Sequence, residues 1–332
     1  MTLISVIIPS YNSEKTIKTT IESVLSQSFS DLELIVINDG STDSTLEIIS
    51  NFQDSRIKIF SFENSGGNIS RNRGLKHAAG KFVSFLDADD IWTADKLASQ
   101  LQALQENLGV MVAYSWTDYI DENGEFLLSG MHITVNGDVY EKLLVSNFLE
   151  NGSNALILRE AIIELGGFDE SLNAGQDWDM WLRLACKFDF VCVPSVQILY
   201  RISPNSLSSN LARQEKACLQ VLKKAYQVRP LTDKNIWSLS LANLYMYLTC
   251  KALQQPFSKY KGTLAARFLW KYLLNDSSRL QRINLILKLL FKIAVILILP
   301  TTLSTRLLTS LKTKAKKVRV IPFSSSPPQN EF

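Results

Sequence analysis

The sequence predicts an α/β protein built on a doubly wound, mostly parallel sheet, followed by a helical C-terminal region. Three observations predict it. The apolar runs at residues 3–9 (LISVIIP), 32–37 (LELIVI) and 82–86 (FVSFL) are nearly continuous and do not alternate, which marks strands covered on both faces. The first two lead through polar, turn-rich residues into stretches with helical spacing, and strands separated in this way pair in parallel. From Leu211 onward Leu, Ala, Lys and Tyr recur with helical periodicity, broken at Pro230 and Pro256.

The elements follow in order. After the first strand, Ser10, Tyr11, Asn12 and Ser13 supply turn and N-cap chemistry, and Ile17, Ile21, Val24 and Leu25 form the apolar face of a helix. The second strand ends in Asn38-Asp39-Gly40-Ser41-Thr42-Asp43, where Gly40 permits a tight turn and the Ser, Thr and Asp side chains cap a helix through Ile49. A short third strand is expected at 56–60. Residues 64–74 (NSGGNISRNRG) form a Gly- and Asn-rich segment from which Arg71 can make directional bonds to a base or phosphate. The fourth apolar run stops abruptly in Asp87-Ala88-Asp89-Asp90. A helix with a stripe of Leu97, Leu101, Leu104 and Leu108 is expected over 92–108 and a strand over 110–116. Asn123-Gly124 marks a hairpin turn, 154–158 another strand, and 159–165 a helix stopped by Gly166-Gly167. Asp177 falls at or near the start of the next helix, after a loop through Gly175.

Composition bounds what this architecture can do. With 332 residues and 46% hydrophobic content, the chain can bury a sizeable core in one large or two smaller domains. Its four cysteines, Cys186, Cys192, Cys218 and Cys250, lack metal-ligand spacing and fit reduced thiols in a cytosolic compartment. Residues 1–9 lack a basic n-region and read as a strand, not a signal peptide. No Gly-x-Gly-x-x-Gly follows the first strand and no Gly-Lys-Ser/Thr loop occurs, which disfavours a dinucleotide fold and a phosphate-loop NTPase. A net charge of +3 gives no reason to expect a nucleic-acid partner, yet it hides an asymmetry. Residues 277–330 hold ten Lys or Arg and no Asp or Glu, so the body before them is net negative.

The acidic stretch carries the chemistry. A buried strand that delivers carboxylates at its C-terminal end places them where open α/β sheets bind ligands. Asp87 and Asp89 are two residues apart and can converge on one cation, and clustered carboxylates need positive charge among them. A hard divalent ion that also holds a diphosphate answers that need, since Mg²⁺-type ions combine one or two carboxylates with substrate phosphates.

Taken together, SVIIPSYN, INDGSTDS, NSGGNISRNRG, FLDADD, GGFDESL and QDWDMWLRLA, in this order over residues 3–208, resemble the inverting glycosyltransferase family 2 with its GT-A fold. The resemblance implies a nucleoside-diphosphate sugar donor, expected to be UDP-linked, and a glycan or lipid-linked acceptor in cell-surface polysaccharide or glycolipid synthesis. It implies that Tyr11 packs on the base in a loop shaped by Pro9, that Asp39 accepts a hydrogen bond from the base, and that Arg71 lies near base or phosphates. Asp87 would bind the ribose, Asp89 would hold Mn²⁺ or Mg²⁺, and Asp177 would be the general base. Phe168, Asp169 and Trp178 would lie on the acceptor side.

Two positions depart from the family pattern. Gln176 replaces the first acid of a Glu-Asp pair, and Ser203 stands where a His is usual. The first change removes a like charge and should lower the pKa of Asp177; the second leaves the metal fewer protein ligands. His77 and His132 receive no role. The Gln-x-x-Arg-Trp motif of processive synthases is absent, which favours adding one sugar per encounter. Competing readings are a catalytically silent sugar-nucleotide-binding scaffold on a membrane and a nucleotidyltransferase. Retention of Asp39, Asp87, Asp89 and Asp177 argues against the first, and lack of a Gly-rich basic N-terminal loop against the second.

The expected organisation is a catalytic domain at 1–210, a helical subdomain at 211–280 and an apolar, basic tail at 281–332. Residues 283–299 (INLILKLLFKIAVILIL) fall short of the roughly 20 apolar residues of a spanning helix and contain Asn284, Lys288 and Lys292 at helical spacing. The tail is therefore expected to lie on the cytoplasmic face of a membrane, aided by six basic residues over 306–319, with a buried helix of the subdomain and a single span as the alternatives.

Overall fold

The computed structural model describes residues 2–202, 210–229, 231, 233, 235–276 and 281–315, with side chains through residue 310. They form two units. The first comprises the described residues before 144 and those from 147 to 202; the second comprises residues 144–146 and the described residues from 210 onward.

In the first unit the chain runs β1 (Ile4–Ser10), α1 (Ile17–Leu25), β2 (Leu32–Asn38), α2 (Thr45–Ser50), β3 (Ile57–Ser61), α3 (Gly67–His77) and β4 (Phe82–Phe85). It continues through β5 (Ile91–Trp92), α4 (Lys96–Glu106), β6 (Val112–Ile120), β7 (Phe126–Ser129) and α5 (Tyr140–Val145), whose last turn crosses into the second unit. Then come β8 (Leu156–Leu158), α6 (Arg159–Glu164), α7 (Gln176–Ala185) and β9 (Phe190–Arg201). The strand order is β3-β2-β1-β4-β8-β6-β9-β5, with β7 added to β6. Pairing is parallel from β3 through β4 and again between β6 and β9, and antiparallel around β8, β5 and β7. The continuous apolar runs are buried as expected: Ile4, Val6, Ile7 and Ile8 of β1 and Leu34 through Ile37 of β2 are fully covered.

This topology positions the site. Strand order reverses between β1 and β4, and the carboxyl ends of those two strands open the crevice where such sheets bind ligands. The loops after β1, β2 and β4 carry Tyr11, Asp39 and Asp87 to that edge.

Three elements differ from the sequence expectation. Trp92 lies in β5, not in a helix, because Ile91 and Trp92 pair with Leu199 and Ile198 of β9; α4 then starts at Lys96. Leu108 lies beyond the helix and is 94% exposed, so the buried stripe ends at Leu104. Strand β6 continues past Trp116 to Ile120, because β9 pairs with it over that whole length, shifting register at Ser115–Trp116 and Trp116–Thr117.

The second unit contains α8 (Leu211–Val228), α9 (Ile236–Ala252), α10 (Lys259–Asn275), α11 (Ile283–Ile298) and α12 (Thr301–Ala315). Buried Leu222, Leu248 and Phe268 come from three of these helices. Glu215 of α8 bonds Lys271 Nζ of α10 at 2.8 Å and pairs with Arg267 as well. The expected tail helix α11 packs against α10 as part of this unit. Ser203, Pro230 and the end of the expected basic run lie outside the described residues.

Candidate active site

The acidic turn is held from four directions. Asp87 N–H donates to Ser153 Oγ at 3.0 Å, and Asp90 N–H closes the turn onto the Asp87 carbonyl at 3.1 Å. Asp90 is fully buried. Its Oδ2 accepts from Ser153 Oγ at 2.5 Å and its Oδ1 from Arg201 N–H at 3.0 Å. The Arg201 guanidinium donates to the carbonyls of Asp89, Asp121 and Glu122, at 2.9, 3.0 and 2.8 Å. Thr16 and Thr20 hydroxyls donate to the Ala88 carbonyl. Asp90 is thus a structural anchor, and the turn is preorganised to present Asp87 and Asp89.

These two acids have different surroundings. Asp87 Oδ1 pairs with Arg71 Nη2. Among the described residues no cationic side chain bonds the Asp89 carboxyl, although Arg201 holds its backbone carbonyl; burial, reinforced by the Asp87 charge, pushes this carboxyl up to about 6. Burial, with Asp89 and Asp87 behind it, also raises Asp90 well above the ordinary carboxylate range. A cation would lower that cost. Among the described residues no group of three or more His, Cys, Asp or Glu could hold a metal alone. The two carboxylates, Asp87 and Asp89, are oxygen donors of the kind that suit a Mg²⁺- or Mn²⁺-type ion taking its remaining ligands from phosphate and water.

Helix α3 supplies the positive side. It starts at Gly67, after Gly66 at φ +92°, and a helix start offers backbone N–H groups to an anion. Arg71, one turn in, is buried between Asp87 and the Phe168 ring, with Cζ 5.5 Å from the ring centroid. Ser70 Oγ, Arg71 Nε and Asn68 Oδ1 are buried without a hydrogen-bond partner, which leaves donors and an acceptor uncommitted near the start of this helix.

Asp177, the second residue of α7, follows Gly175 at φ +66°. Burial raises its carboxyl above the usual range; the Trp178 N–H opposes this, Asp87 adds to it and Arg71 opposes it. Gln176 adds no like charge beside it, so the rise comes chiefly from desolvation. Gln176 Oε1 is itself buried without a partner.

Asp87, Arg71 and Asp177 converge on one glycine. A methyl group built on Gly152 would lie 3.7 Å from Arg71 Nη2, 3.7 Å from Asp87 Oδ2 and 3.8 Å from Asp177 Cβ. The loop preceding β8 therefore forms the floor between the three side chains, and a hydrogen there keeps the space open.

The remaining expected residues fall into two groups. At the crevice edge, Tyr11 is 52% exposed, its ring free to stack, and Pro9 lies in β1 opposite Ile37. Asp39 is buried beyond it. Its oxygens accept from Ser65 N–H at 3.0 Å and Gly66 N–H at 2.8 Å, and Arg73 Nη1 lies 3.3 Å away. Oδ2 with a single donor retains a free lone pair direction. On the other side, Phe168 is buried edge-on against Phe85. Asp169 Oδ1 accepts from Ser171 N–H and Oγ, and so shapes its own turn. Trp178 is buried with Nε1 donating to the Leu143 carbonyl at 2.8 Å, so it forms a wall and offers no polar atom to a ligand.

Sequence reasoning missed Gly152, Ser153, Arg201 and the clasp formed by Asn68 and Asn72. Asn68 Nδ2 donates to the carbonyls of Asp169 and Leu172, while Asn72 exchanges bonds with the backbone of Phe168. These two, four apart on α3, tie the 168–172 loop to the helix that carries Arg71. Their spacing on one helix face was the available signal. Nothing local distinguishes Gly152.

Comparison with known proteins identifies the family and the fold. Residues 5–252 match the family described as "Glycosyltransferase like family 2". An Escherichia coli protein, the UDP-Glc:alpha-D-GlcNAc-diphosphoundecaprenol beta-1,3-glucosyltransferase WfgD, is 34% identical over 228 residues, covering 66% of this chain and 85% of its own. Some relatives are longer: an uncharacterized glycosyltransferase of Rickettsia bellii, 35% identical over 187 residues and 55% of this chain, is matched over 26% of its length. Among solved structures, residues 1-349 of S. aureus TarS with UDP-GlcNAc share the fold at TM-score 0.56 and 19% identity, over 84% of this chain and 92% of that one. The Pyrobaculum calidifontis mannosyltransferase PcManGT, in complex with GDP-Man and Mn²⁺, does so at 0.57 and 18%, over 95% and 88%. The fold is GT-A.

Proposed function

We propose that this chain, which belongs to the glycosyltransferase family 2-like enzymes, moves a sugar from a UDP-linked donor to a hydroxyl of a lipid-linked or glycan acceptor, inverting the anomeric centre. The observation that carries the reading is the convergence of Arg71, Asp87 and Asp177 around Gly152 at the carboxyl edge of the sheet. It brings Arg71 Nη2, Asp87 Oδ2 and Asp177 Cβ within 3.7–3.8 Å of one point, which supports reading them as a cation for the diphosphate, a carboxylate beside it and a base.

Each residue then has a physical task. Tyr11 stacks on the base and Asp39 accepts from its imide, while Arg71 and the α3 N-terminus face the phosphates. Asp87 serves the ribose and orients Arg71. A Mg²⁺ or Mn²⁺ ion on Asp89, when bound, supplies Lewis-acid stabilisation of the leaving diphosphate. Asp177 takes the proton of the acceptor hydroxyl as that oxygen bonds to the anomeric carbon. The bond from this carbon to the diphosphate oxygen breaks on the opposite face. Burial keeps Asp177 basic enough for the task. A single displacement needs no carboxylate nucleophile.

The names of the relatives support the chemistry on both sides. WfgD is named for UDP-Glc and a diphosphoundecaprenol acceptor, and the two solved structures hold UDP-GlcNAc and GDP-Man with Mn²⁺. A role in cell-surface polysaccharide synthesis, with one sugar added per encounter at the cytoplasmic face of a membrane, follows from this reading. The test is to incubate the chain with UDP- and GDP-sugars and Mn²⁺ or Mg²⁺, with and without chelator, and to measure nucleotide release. Release from a UDP-sugar that chelator stops is expected; metal-independent release at full rate contradicts the role of Asp89.

A further inference from the structure

Helix α11 is fixed to the rest of its unit along one side. Ile286, Leu289, Ile293 and Ile296 are buried at helical spacing. Gly262 of α10 allows close approach: a methyl group there would lie 2.9 Å from Ile296 Cγ2 and 3.0 Å from Leu297 Cδ2. Lys259 Nζ donates to the Leu297 carbonyl and, at 2.7 Å, to that of Leu299, capping the C-terminal end of α11. The helix is a packed element of the unit, and its outer surface is consequently a fixed one.

That outer surface is apolar where a solvated helix is ordinarily polar. Ile283, Leu287, Leu290, Phe291 and Ile298 form one stripe on it; Phe291 is 51% exposed and Ile298 77%. Asn284, Lys288 and Lys292 run alongside, four residues apart and all exposed. Leu303, Arg306 and Leu307 of α12 are exposed in the same manner. From residue 283 to 310 there are three cations and no Asp or Glu. An exposed apolar stripe of this size rimmed by charge of a single sign marks a surface that is covered in use.

We infer that this face of α11 seats on an anionic phospholipid surface, with the apolar stripe in the acyl boundary and Lys288 and Lys292 at the headgroup phosphates. The purpose of the contact, bringing the enzyme to a lipid-linked acceptor, rests on the function proposed above; the contact itself rests on α11. No helix among the described residues is long and apolar enough to cross a membrane, and the 16 residues of α11 would extend only about 24 Å. A second copy of the chain is a poorer occupant. A two-fold contact through this stripe would bring lysines toward lysines with no acid in the segment to pair them. Deleting the helix would uncover the surface of α10 around Gly262, so substitutions at exposed positions are the cleaner perturbation.

Flotation with phosphatidylcholine–phosphatidylglycerol vesicles tests the inference. The full chain should partition onto them, more strongly than onto pure phosphatidylcholine. The variant Leu287→Gln/Leu290→Gln/Phe291→Gln, melting as the parent does, should lose binding on the order of 100-fold. Lys288→Gln/Lys292→Gln should lose roughly 10- to 30-fold on anionic vesicles only. Nucleotide release from a UDP-sugar, measured without vesicles, should be unchanged in both variants, so failure of the surface and failure of the proposed reaction are read separately. A full chain that does not float overturns the inference. So do unaltered flotation of the triple variant and a dimer in sedimentation that the triple variant abolishes without any vesicle binding.

Discussion

Arg71→Gln removes the guanidinium that pairs with Asp87 and helps hold the Asp177 carboxyl down. Arg71 Nη2 and Asp177 Cβ each lie under 4 Å from the same point above Gly152, so they are at most about 7.5 Å apart. At an effective dielectric constant of about 20, a unit charge at that distance is worth about 2.2 kcal/mol. That corresponds to a factor of roughly 40 in proton affinity. Water reaching the half-buried carboxylate reduces it, so the expected effect is roughly 5- to 40-fold. The sign follows from the role of the group. A base works deprotonated, so activity is present above its pKa and lost as pH falls through it. Removing a nearby cation moves that loss to higher pH. The assay is kcat against pH from nucleotide release at saturating donor and metal, with melting temperature as a folding control. On the acidic limb Arg71→Gln should be slower than the parent by the stated factor and recover as pH rises. Arg71→Lys keeps the charge and should keep the limb in place, although KM for the donor rises because the fork geometry is lost. An acidic limb that does not move in Arg71→Gln would refute the coupling, leaving Arg71 a donor ligand alone.

Two further outcomes are expected. Gly152→Ala should be tolerated, since its methyl group meets neighbours only at ordinary contact distance. Gly152→Val should weaken donor binding at least about tenfold by calorimetry, without lowering the melting temperature by more than a surface change does. Lys96 is fully buried, with Nζ 2.7 Å from Ser84 Oγ and over the Trp92 ring, and burial pushes its pKa well below the lysine range. The folded state then binds this proton less readily than the unfolded state, a cost present at neutral pH and relieved as pH rises toward the ordinary lysine value. Lys96→Met should therefore be more stable by about 1 kcal/mol at neutral pH, with the advantage shrinking by about pH 10; urea melts at both pH values check it.

How much of this was legible in the sequence depends on the range of the forces involved. The β1, β2 and β4 strands were readable because burial on both faces writes a continuous apolar run. Asp87 and Asp89 were readable because that run stops in charge. Trp92 was misplaced because its partner is β9, more than 100 residues away, and a two-residue strand has no pattern of its own. Gly152 and Ser153 act through contacts with residues at 71, 87, 90 and 177, and their own neighbourhood carries no signal of it. The exposure of the α11 stripe was equally out of reach. Apolar residues surround its polar stripe on the helical wheel, and only the packing on α10 separates the buried face from the open one.

The most direct test of the central claim, that Asp177 is the base of an inverting sugar transfer, is a paired measurement on Asp177→Asn. The amide keeps the shape of the side chain and cannot take a proton. Donor affinity by calorimetry in Mn²⁺ should stay within about threefold of the parent, while transfer to acceptor falls roughly 100-fold or more. Normal turnover by Asp177→Asn would contradict the account, and so would a product whose anomeric configuration, read by NMR, is that of the donor.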